Sequence, residues 1–369
     1  MNKQLKVALV CDWLTGIGGA ERVVLELHKM FPQAPIYTSQ YNKNPEVWYG
    51  DKWFSDADVR TLWLQHLPKS IKKFLPVLRA WSFSHLDLSE YDLVISSSSA
   101  EAKAVKTGSQ TKHITYCHAP THYYWARYNQ YMKNPGFGFL TPLARLGLRI
   151  LVGPMRRWDH KAAQKPDYFL ANSNFTKAQI KKYYGRESTV IYPPVDVKRF
   201  TPKDSSARSG FLAAGRQTPY KRVDLAVSAC TKLDEPLAVI GNGPQHNKLV
   251  SMAGPSVSFL TKVADEGMPR LFQSAEAFIF PGLDDFGIVA VEALAAGTPV
   301  IAYKDGGALD YIKEGQNGLF FNKPTEDSLI RAIEKFKTCQ FSSFEINKSV
   351  TMFTPENFRQ QLSKFLKTI

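Results

Sequence analysis

The chain has 369 residues, 44% hydrophobic and 22% charged, with a formal net charge of +14. That length exceeds what one hydrophobic core usually supports, so two domains are predicted, and the composition excludes extensive disorder. The cysteines Cys11, Cys117, Cys230 and Cys339 lie far apart without CxxC or Cys/His ligand spacing, which excludes a disulfide framework and a structural zinc site and fits a reducing cytoplasm.

In chain order, Met1-Asn2-Lys3-Gln4-Leu5-Lys6 leads straight into an apolar strand too short for a signal-peptide core. No uncharged run approaches the roughly 20 residues of a spanning helix, so a protein neither exported nor integral is expected. The first half alternates β-rich runs with helical patterns, the strands falling at 7–11, 35–39, 93–96, 113–117, 168–171 and 189–192. The second half repeats the scheme at 211–214, 237–240, 257–260, 277–280, 300–302 and 319–321. Such alternation predicts an α/β fold of two doubly wound, Rossmann-like parallel-sheet domains facing across a cleft. The join falls near Pro193-Pro194-Val195-Asp196, followed by a polar stretch with Lys203, Asp204 and Arg208. The expected domains are 1–195 and 196–354, with an amphipathic terminal helix over 355–369 carrying Phe358, Leu362, Phe365 and Leu366 at helical spacing.

The positive charge calls for an acidic partner. Basic and large apolar residues mix over 59–83, with Trp63, Lys69, Lys72, Lys73, Arg79 and Trp81, and over 137–158, with Arg145, Arg149, Arg156 and Arg157. Helices of this kind suit a membrane surface, although they also serve as ordinary packing helices with a solvated face. No zinc finger, RNA-recognition signature or continuous basic arm is present, so nucleic acid is not expected as a partner.

Ligands of open α/β sheets bind beyond the carboxyl ends of the strands, and the chemistry-bearing motifs fall there. After the first strand comes Asp12-Trp13-Leu14-Thr15-Gly16-Ile17-Gly18-Gly19-Ala20-Glu21. Gly18 and Gly19 let backbone approach a ligand, but the spacing is not that of the dinucleotide fingerprint. His118 closes the strand at 113–117, where it can bond a sugar hydroxyl or serve as a structural residue, and His122, Tyr123, Tyr124 and Trp125 continue the loop. Arg216 follows the first strand of the second half, and Tyr220-Lys221-Arg222 opens the next helix. Fixed cations there can clamp a diphosphate or form a solvated turn. Asn172-Ser173 reads as a helix cap. Phe280 to Val300 then gives a strand, a loop with Asp284 and Asp285, and a helix from Gly287. The N–H groups of Gly287, Ile288 and Val289 at that helix start can receive an anion, and Glu292 lies a turn further in.

This last stretch resembles the paired-acid motif of retaining nucleotide-sugar glycosyltransferases of the GT-B fold, the glycosyltransferase family 4 group. Asp284 and Glu292 stand eight positions apart with Phe286-Gly287 between. The first acid is usually Glu and here is one methylene shorter. The resemblance implies roles residue by residue: His118 and Asp284 on the transferred sugar, Glu292 on the ribose, and Arg216 and Lys221 on the pyrophosphate. Gly18 and Gly19 fall by the donor phosphate and acceptor, Val263 beside the base, and Phe286, Gly287, Ile288 and Val289 along the donor. The terminal helix is implied to pack back on the first domain.

The implied mechanism is leaving-group assistance without a metal, a cofactor or a nucleophilic side chain. Thr115 to Pro120, Pro219 to Ala226 and Asp285 to Ile288 look closest to GDP-mannose-dependent mannosyltransferases. The expected reaction is transfer of a hexose, with mannose from GDP-mannose favoured, to a hydroxyl of a lipid-linked or membrane-proximal glycan acceptor by a cytoplasmic protein peripheral at the inner face of the cell membrane. Two alternatives stay open. One is an inverting transferase or epimerase with His118 or Glu21 as base; the other is a sugar-nucleotide-binding protein that has lost catalysis.

Overall fold

The computed structural model describes residues 5–48, 53–68, 76–133, 141–202 and 208–369. Met1–Gln4, residues 69–75 and 137–140 of the two basic stretches, and Lys203 and Asp204 lie outside the described residues. The chain forms two compact units, one of Met1–Pro194 with Phe358–Ile369 and one of Val195–Asn357.

The first unit carries β1 (Val7–Cys11), β2 (Ile36–Thr38), β3 (Val59–Thr61), β4 (Leu93–Ser98), β5 (Lys112–Cys117), β6 (Tyr168–Ala171) and β7 (Thr189–Val190). All pair in parallel, in the order β3-β2-β1-β4-β5-β6-β7. Strand side chains alternate between faces, and the core divides accordingly. Val7, Leu9, Cys11 and Ile95 pack on one side with Val23 and Leu27 of the helix Gly19–Met30, whereas Ala8, Val10 and Val94 pack on the other with Phe83. The terminal helix Pro355–Leu366 covers the first of these faces. Phe358 and Leu362 enter its cluster, Phe358 meets Tyr116 edge-on at 5.8 Å, and Arg359 pairs with Glu26.

The second unit carries β8 (Phe211–Ala214), β9 (Leu237–Ile240), β10 (Val257–Leu260), β11 (Ala277–Phe280), β12 (Val300–Tyr303) and β13 (Gly318–Phe321), parallel throughout, in the order β10-β9-β8-β11-β12-β13. Counted within each unit the order runs 3-2-1-4-5-6, with a seventh strand added beyond the sixth in the first unit, the doubly wound arrangement whose direction reverses between the first and fourth strands. Those switch points are β1/β4 and β8/β11.

β2 is shorter and β4 longer than expected, and three larger details depart from the sequence expectation. β3 was missed. β7 ends at Val190 rather than residue 192, because Pro193 and Pro194 cannot donate to a ladder. Helix does not begin at Tyr220: Pro219–Lys221 is a 3-10 turn, Arg222 adopts a left-handed φ of 49°, and the helix runs Val223–Leu233. Arg222 is held there by its own side chain, whose Nε donates to Asp224 at 3.1 Å. Among the described residues, no helix is long and apolar enough to cross a membrane.

Candidate functional site

The expected site residues distribute over both units, and each set lies at the carboxyl ends of strands. In the second unit, parallel pairing of β8 with β11 sets the loop after β8 beside the loop after β11. The first loop supplies exposed Arg216 and partly buried Lys221; the second supplies buried Asp284. Lys221 Nζ and Asp284 Oδ2 form an ion pair across the switch point, with the ammonium 5.9 Å from the Phe280 ring centre and 5.7 Å from that of Tyr220. The sequence reading gave these two residues separate ligand roles; the structure joins them directly.

Beyond Asp284 the chain turns at Gly287, whose φ of 91° caps the helix Ile288–Ala295. A Cβ there would stand 2.6 Å from Phe280 Cζ and 2.8 Å from the Tyr311 hydroxyl, so only glycine fits. Tyr311 donates its hydroxyl to the Phe286 carbonyl at 2.9 Å, and the Phe286 ring packs on Tyr311 and Phe353, with centroids 5.5 and 5.6 Å away. The side chain of Phe286, expected along the donor, therefore anchors its loop in the unit's own core. Gly287, Ile288 and Val289 occupy the cap and first turn of that helix, and buried Glu292 lies on its next turn. Val263 is half-buried in the loop after β10. Gln217 was missed by sequence reasoning: its amide donates to the Gly241 carbonyl at 2.8 Å and accepts from His246 Nδ1 at 2.8 Å, tying the loops after β8 and β9 together. A glutamine in a loop carries no pattern that distinguishes it.

In the first unit, Asp12 follows β1 and is buried. Its carboxylate accepts from the backbone N–H of Ser99 (2.6 Å), Ala100 (3.0 Å) and Ala102 (2.7 Å), stitching the loop after β1 to the loop after β4. Burial pushes its carboxyl up to about 6, with the Glu101 charge adding to the rise and the backbone donors opposing it. Gly18 and Gly19 begin the next helix, and Gly18 lies against Glu21: a Cβ there would stand 2.8 Å from Glu21 Oε2. Burial pushes the Glu21 carboxyl up to about 7, with a backbone hydrogen bond opposing the rise and the Asp12 charge adding to it.

His118 is half-buried at the end of β5. Its Nε2 shares a hydrogen bond of 2.7 Å with Ser97 Oγ, its ring meets Tyr116 edge-on at 5.1 Å, and its carbonyl accepts from Asn172 Nδ2 at 3.0 Å. Ser173 Oγ accepts from Thr176 N at 2.9 Å and caps the helix Asn174–Tyr184. The aromatic residues after His118 pack inward. Tyr123 donates to Glu101, which also pairs with Arg79, and Tyr124 is buried beside Ala80 and Met155. Trp125 Nε1 donates to Asp159 at 2.7 Å. Buried Asp159 also takes Lys103 Nζ at 2.6 Å and the hydroxyls of Thr121 and Tyr184 at 2.9 Å, so four donors fix that loop.

Two doubly wound units in one chain, each with polar residues at its switch point, define a protein of the GT-B architecture. Structures of like fold bear this out along the whole chain. Anabaena HepE in complex with UDP-glucose matches with a TM-score of 0.69 at 17% identity, covering 99% of this chain and 100% of that one. Sucrose-phosphate synthase from Thermosynechococcus elongatus matches with a TM-score of 0.71 at 16% identity, covering 99% of each. The chain itself belongs to the two-domain glycosyltransferases: the model for Glycosyltransferase Family 4 matches residues 17–199 and that for Glycosyl transferases group 1 matches residues 198–352. Among curated proteins, D-inositol 3-phosphate glycosyltransferase of Mycobacterium sp. (strain JLS) is 27% identical over 185 residues, 43% of this chain. This chain spans 42% of the length of that relative.

Proposed function

We propose that the protein is a retaining glycosyltransferase that moves a hexose from a nucleoside diphosphate sugar to a hydroxyl of a lipid-linked or membrane-proximal glycan, at the cytoplasmic face of a membrane. The observation that carries the reading is the pairing of Lys221 with Asp284 at the β8/β11 switch point, beside exposed Arg216 and the helix start at Gly287. Two cations and a helix N-terminus suit two phosphates, and a carboxylate already held by the lysine is poised for sugar hydroxyls. Arg216, Lys221 and the N–H groups of Gly287 to Val289 neutralise the departing diphosphate, which stabilises positive charge at the anomeric carbon in the transition state. A phosphate oxygen takes the acceptor's proton, and neither a metal nor a cofactor is invoked. Glu292 is assigned to the ribose, Val263 to the neighbourhood of the base, His118 to the sugar, and Gly18 and Gly19 to the donor phosphate and acceptor.

Mannose from GDP-mannose is the donor favoured by the motifs around Lys221 and Phe286. A UDP-hexose is the second reading, supported by the likeness to HepE, whose complex holds UDP-glucose. A thermal-shift panel of GDP-, UDP- and ADP-sugars tests both, since a ligand that binds the native state raises the melting temperature. The largest shift is expected with GDP-mannose; a shift with UDP-hexoses alone overturns the mannose assignment. The anomeric configuration of the product tests retention. Inversion would instead assign a general base, for which Glu21, pushed up to about 7, is the group with suitable acidity.

A further inference from the structure

The helix Thr141–Ala162 of the first unit is divided along its length. Its buried residues, Met155, Asp159 and Ala162, all lie in the second half, and the turns before Met155 hold none. In those turns Leu143, Leu146, Ile150 and Leu151 are 64%, 54%, 64% and 45% exposed. They stand at i, i+3, i+7 and i+8, which places them on one stripe. Single exposed aliphatic residues are ordinary; a contiguous stripe marks an interaction surface.

The stripe continues onto a neighbouring helix. Met155 packs with Ala80 of the helix Pro76–His85, and Trp158 Nε1 donates to Ser84 Oγ of the same helix at 3.3 Å. That second helix exposes Trp81, whose ring meets exposed Trp63 edge-on at 6.3 Å.

Charge identifies the occupant. No Asp or Glu occurs from Ala102 to Trp158, nor from Arg60 to His85. Arg157, seven residues past Ile150, extends the stripe with an exposed cation, and exposed Arg149 flanks it. Two copies of such a face would set like charges against each other, whereas an anionic bilayer answers both its apolar centre and its cationic edge. We propose that this two-helix face is the membrane contact of the protein. The aliphatic stripe and the Trp63–Trp81 pair enter the headgroup boundary, and Arg149 and Arg157 meet lipid phosphates. The contact rests on the surface itself; its purpose, to reach a lipid-carried acceptor, rests on the function proposed above.

Co-sedimentation of the full chain with vesicles tests it. Binding is expected to phosphatidylcholine vesicles containing phosphatidylglycerol, to weaken at high salt, and to be absent on phosphatidylcholine alone. Leu146→Glu with Ile150→Glu lowers partitioning on the order of tenfold or more, and Arg149→Gln lowers it about fivefold. These positions are exposed, so the thermal midpoint and turnover of donor on a water-soluble acceptor stay as in the parent chain. Parent and variant chains binding alike, or no binding to anionic vesicles, overturns the proposal. So does a concentration-dependent dimer that Leu146→Glu dissolves, which assigns the face to a second copy. A parent chain that turns over donor but binds no anionic vesicles removes this inference alone; a parent chain that binds vesicles as expected but turns over no nucleotide sugar removes the proposed function and leaves the contact standing.

Discussion

The two switch points share a strand order and differ in electrostatics. At β8/β11 the buried carboxylate of Asp284 is answered by a side-chain cation, Lys221, and the adjoining turn is fixed by Gly287 against two aromatic rings. At β1/β4 the buried carboxylate of Asp12 is answered by three backbone N–H groups and lies near two further acids, Glu21 and Glu101. The same topology thus yields one loop pair suited to anions and another poised to take up protons. Topology places the loops, and the few residues grafted on them decide the chemistry.

The largest effect expected from this contrast is on turnover. Lys221→Ala removes a cation from the diphosphate and lowers kcat by about 10²–10³-fold, the range for a lost transition-state donor. Glu21→Ala leaves a retaining transfer within about tenfold, because leaving-group assistance needs no side-chain base. Steady-state kinetics with the donor chosen by the thermal-shift panel measures both, and the reverse ranking of the two variants breaks the contrast.

The next effect is on stability against pH and is confined to the first unit. Asp12 rises from 3.8 to about 6 and Glu21 from 4.5 to about 7. Each folded carboxyl therefore holds its proton more tightly than the unfolded chain does. The stability this contributes is fully present below pH 4 and is lost as pH rises through about 6 and about 7, roughly 3 kcal/mol for each group. All seven tryptophans, at 13, 48, 53, 63, 81, 125 and 158, belong to the first unit, so tryptophan fluorescence in urea reports its unfolding alone. The midpoint is expected to fall from pH 5 to pH 8, and Glu21→Gln to flatten the upper part of that fall. A midpoint level across the range removes the proton-binding character of the β1/β4 loops.

Most of the sheet was legible because its strands are buried on both faces and read as apolar runs, as Val7–Cys11 and Ala277–Phe280 do. Val59–Thr61 was not, since its three residues are half-buried or exposed and lack both alternation and apolar character. Local geometry was legible where spacing carries it, as at Gly287, which caps the helix that bears Glu292. It was illegible where the role is a long-range pairing: nothing near Asp12 announces that residues 99 to 102 will surround it, and nothing near Lys221 names Asp284 as its partner. The anchoring of the loop after His118 was illegible for the same reason, because Asp159, which takes Trp125 and Thr121, lies in a distant helix.

Glycine substitution sharpens the contrast at a smaller scale. Gly287→Ala must adopt a left-handed φ and displace Phe280 or Tyr311, which costs about 2–3 kcal/mol and weakens donor binding. Gly18 has a φ of −154°, and its added Cβ meets only the carboxylate end of Glu21. Gly18→Ala therefore costs below about 1 kcal/mol and moves Glu21 toward water. Its visible consequence is a flatter tryptophan midpoint between pH 5 and pH 8. Equal losses for the two variants in thermal melts show that the two helix starts are equally rigid and break this part of the contrast.

The smallest effect concerns His118. Ser97 is buried at the end of β4, and its hydroxyl is the side-chain partner of His118 Nε2. Ser97→Ala removes that bond without disturbing the sheet, because the backbone pairing of Ser97 with Tyr116 and Cys11 does not involve its side chain. The stability cost is about 1 kcal/mol. The ring keeps its contact with Tyr116 but loses a hydrogen bond that helps orient it, so a histidine that orients sugar shows kcat/KM reduced about three- to tenfold with an altered pH profile. A variant that loses the same stability with kcat/KM and pH profile unchanged assigns the Ser97–His118 bond to folding alone, and leaves the catalytic burden to the cation-bearing loops of the second unit.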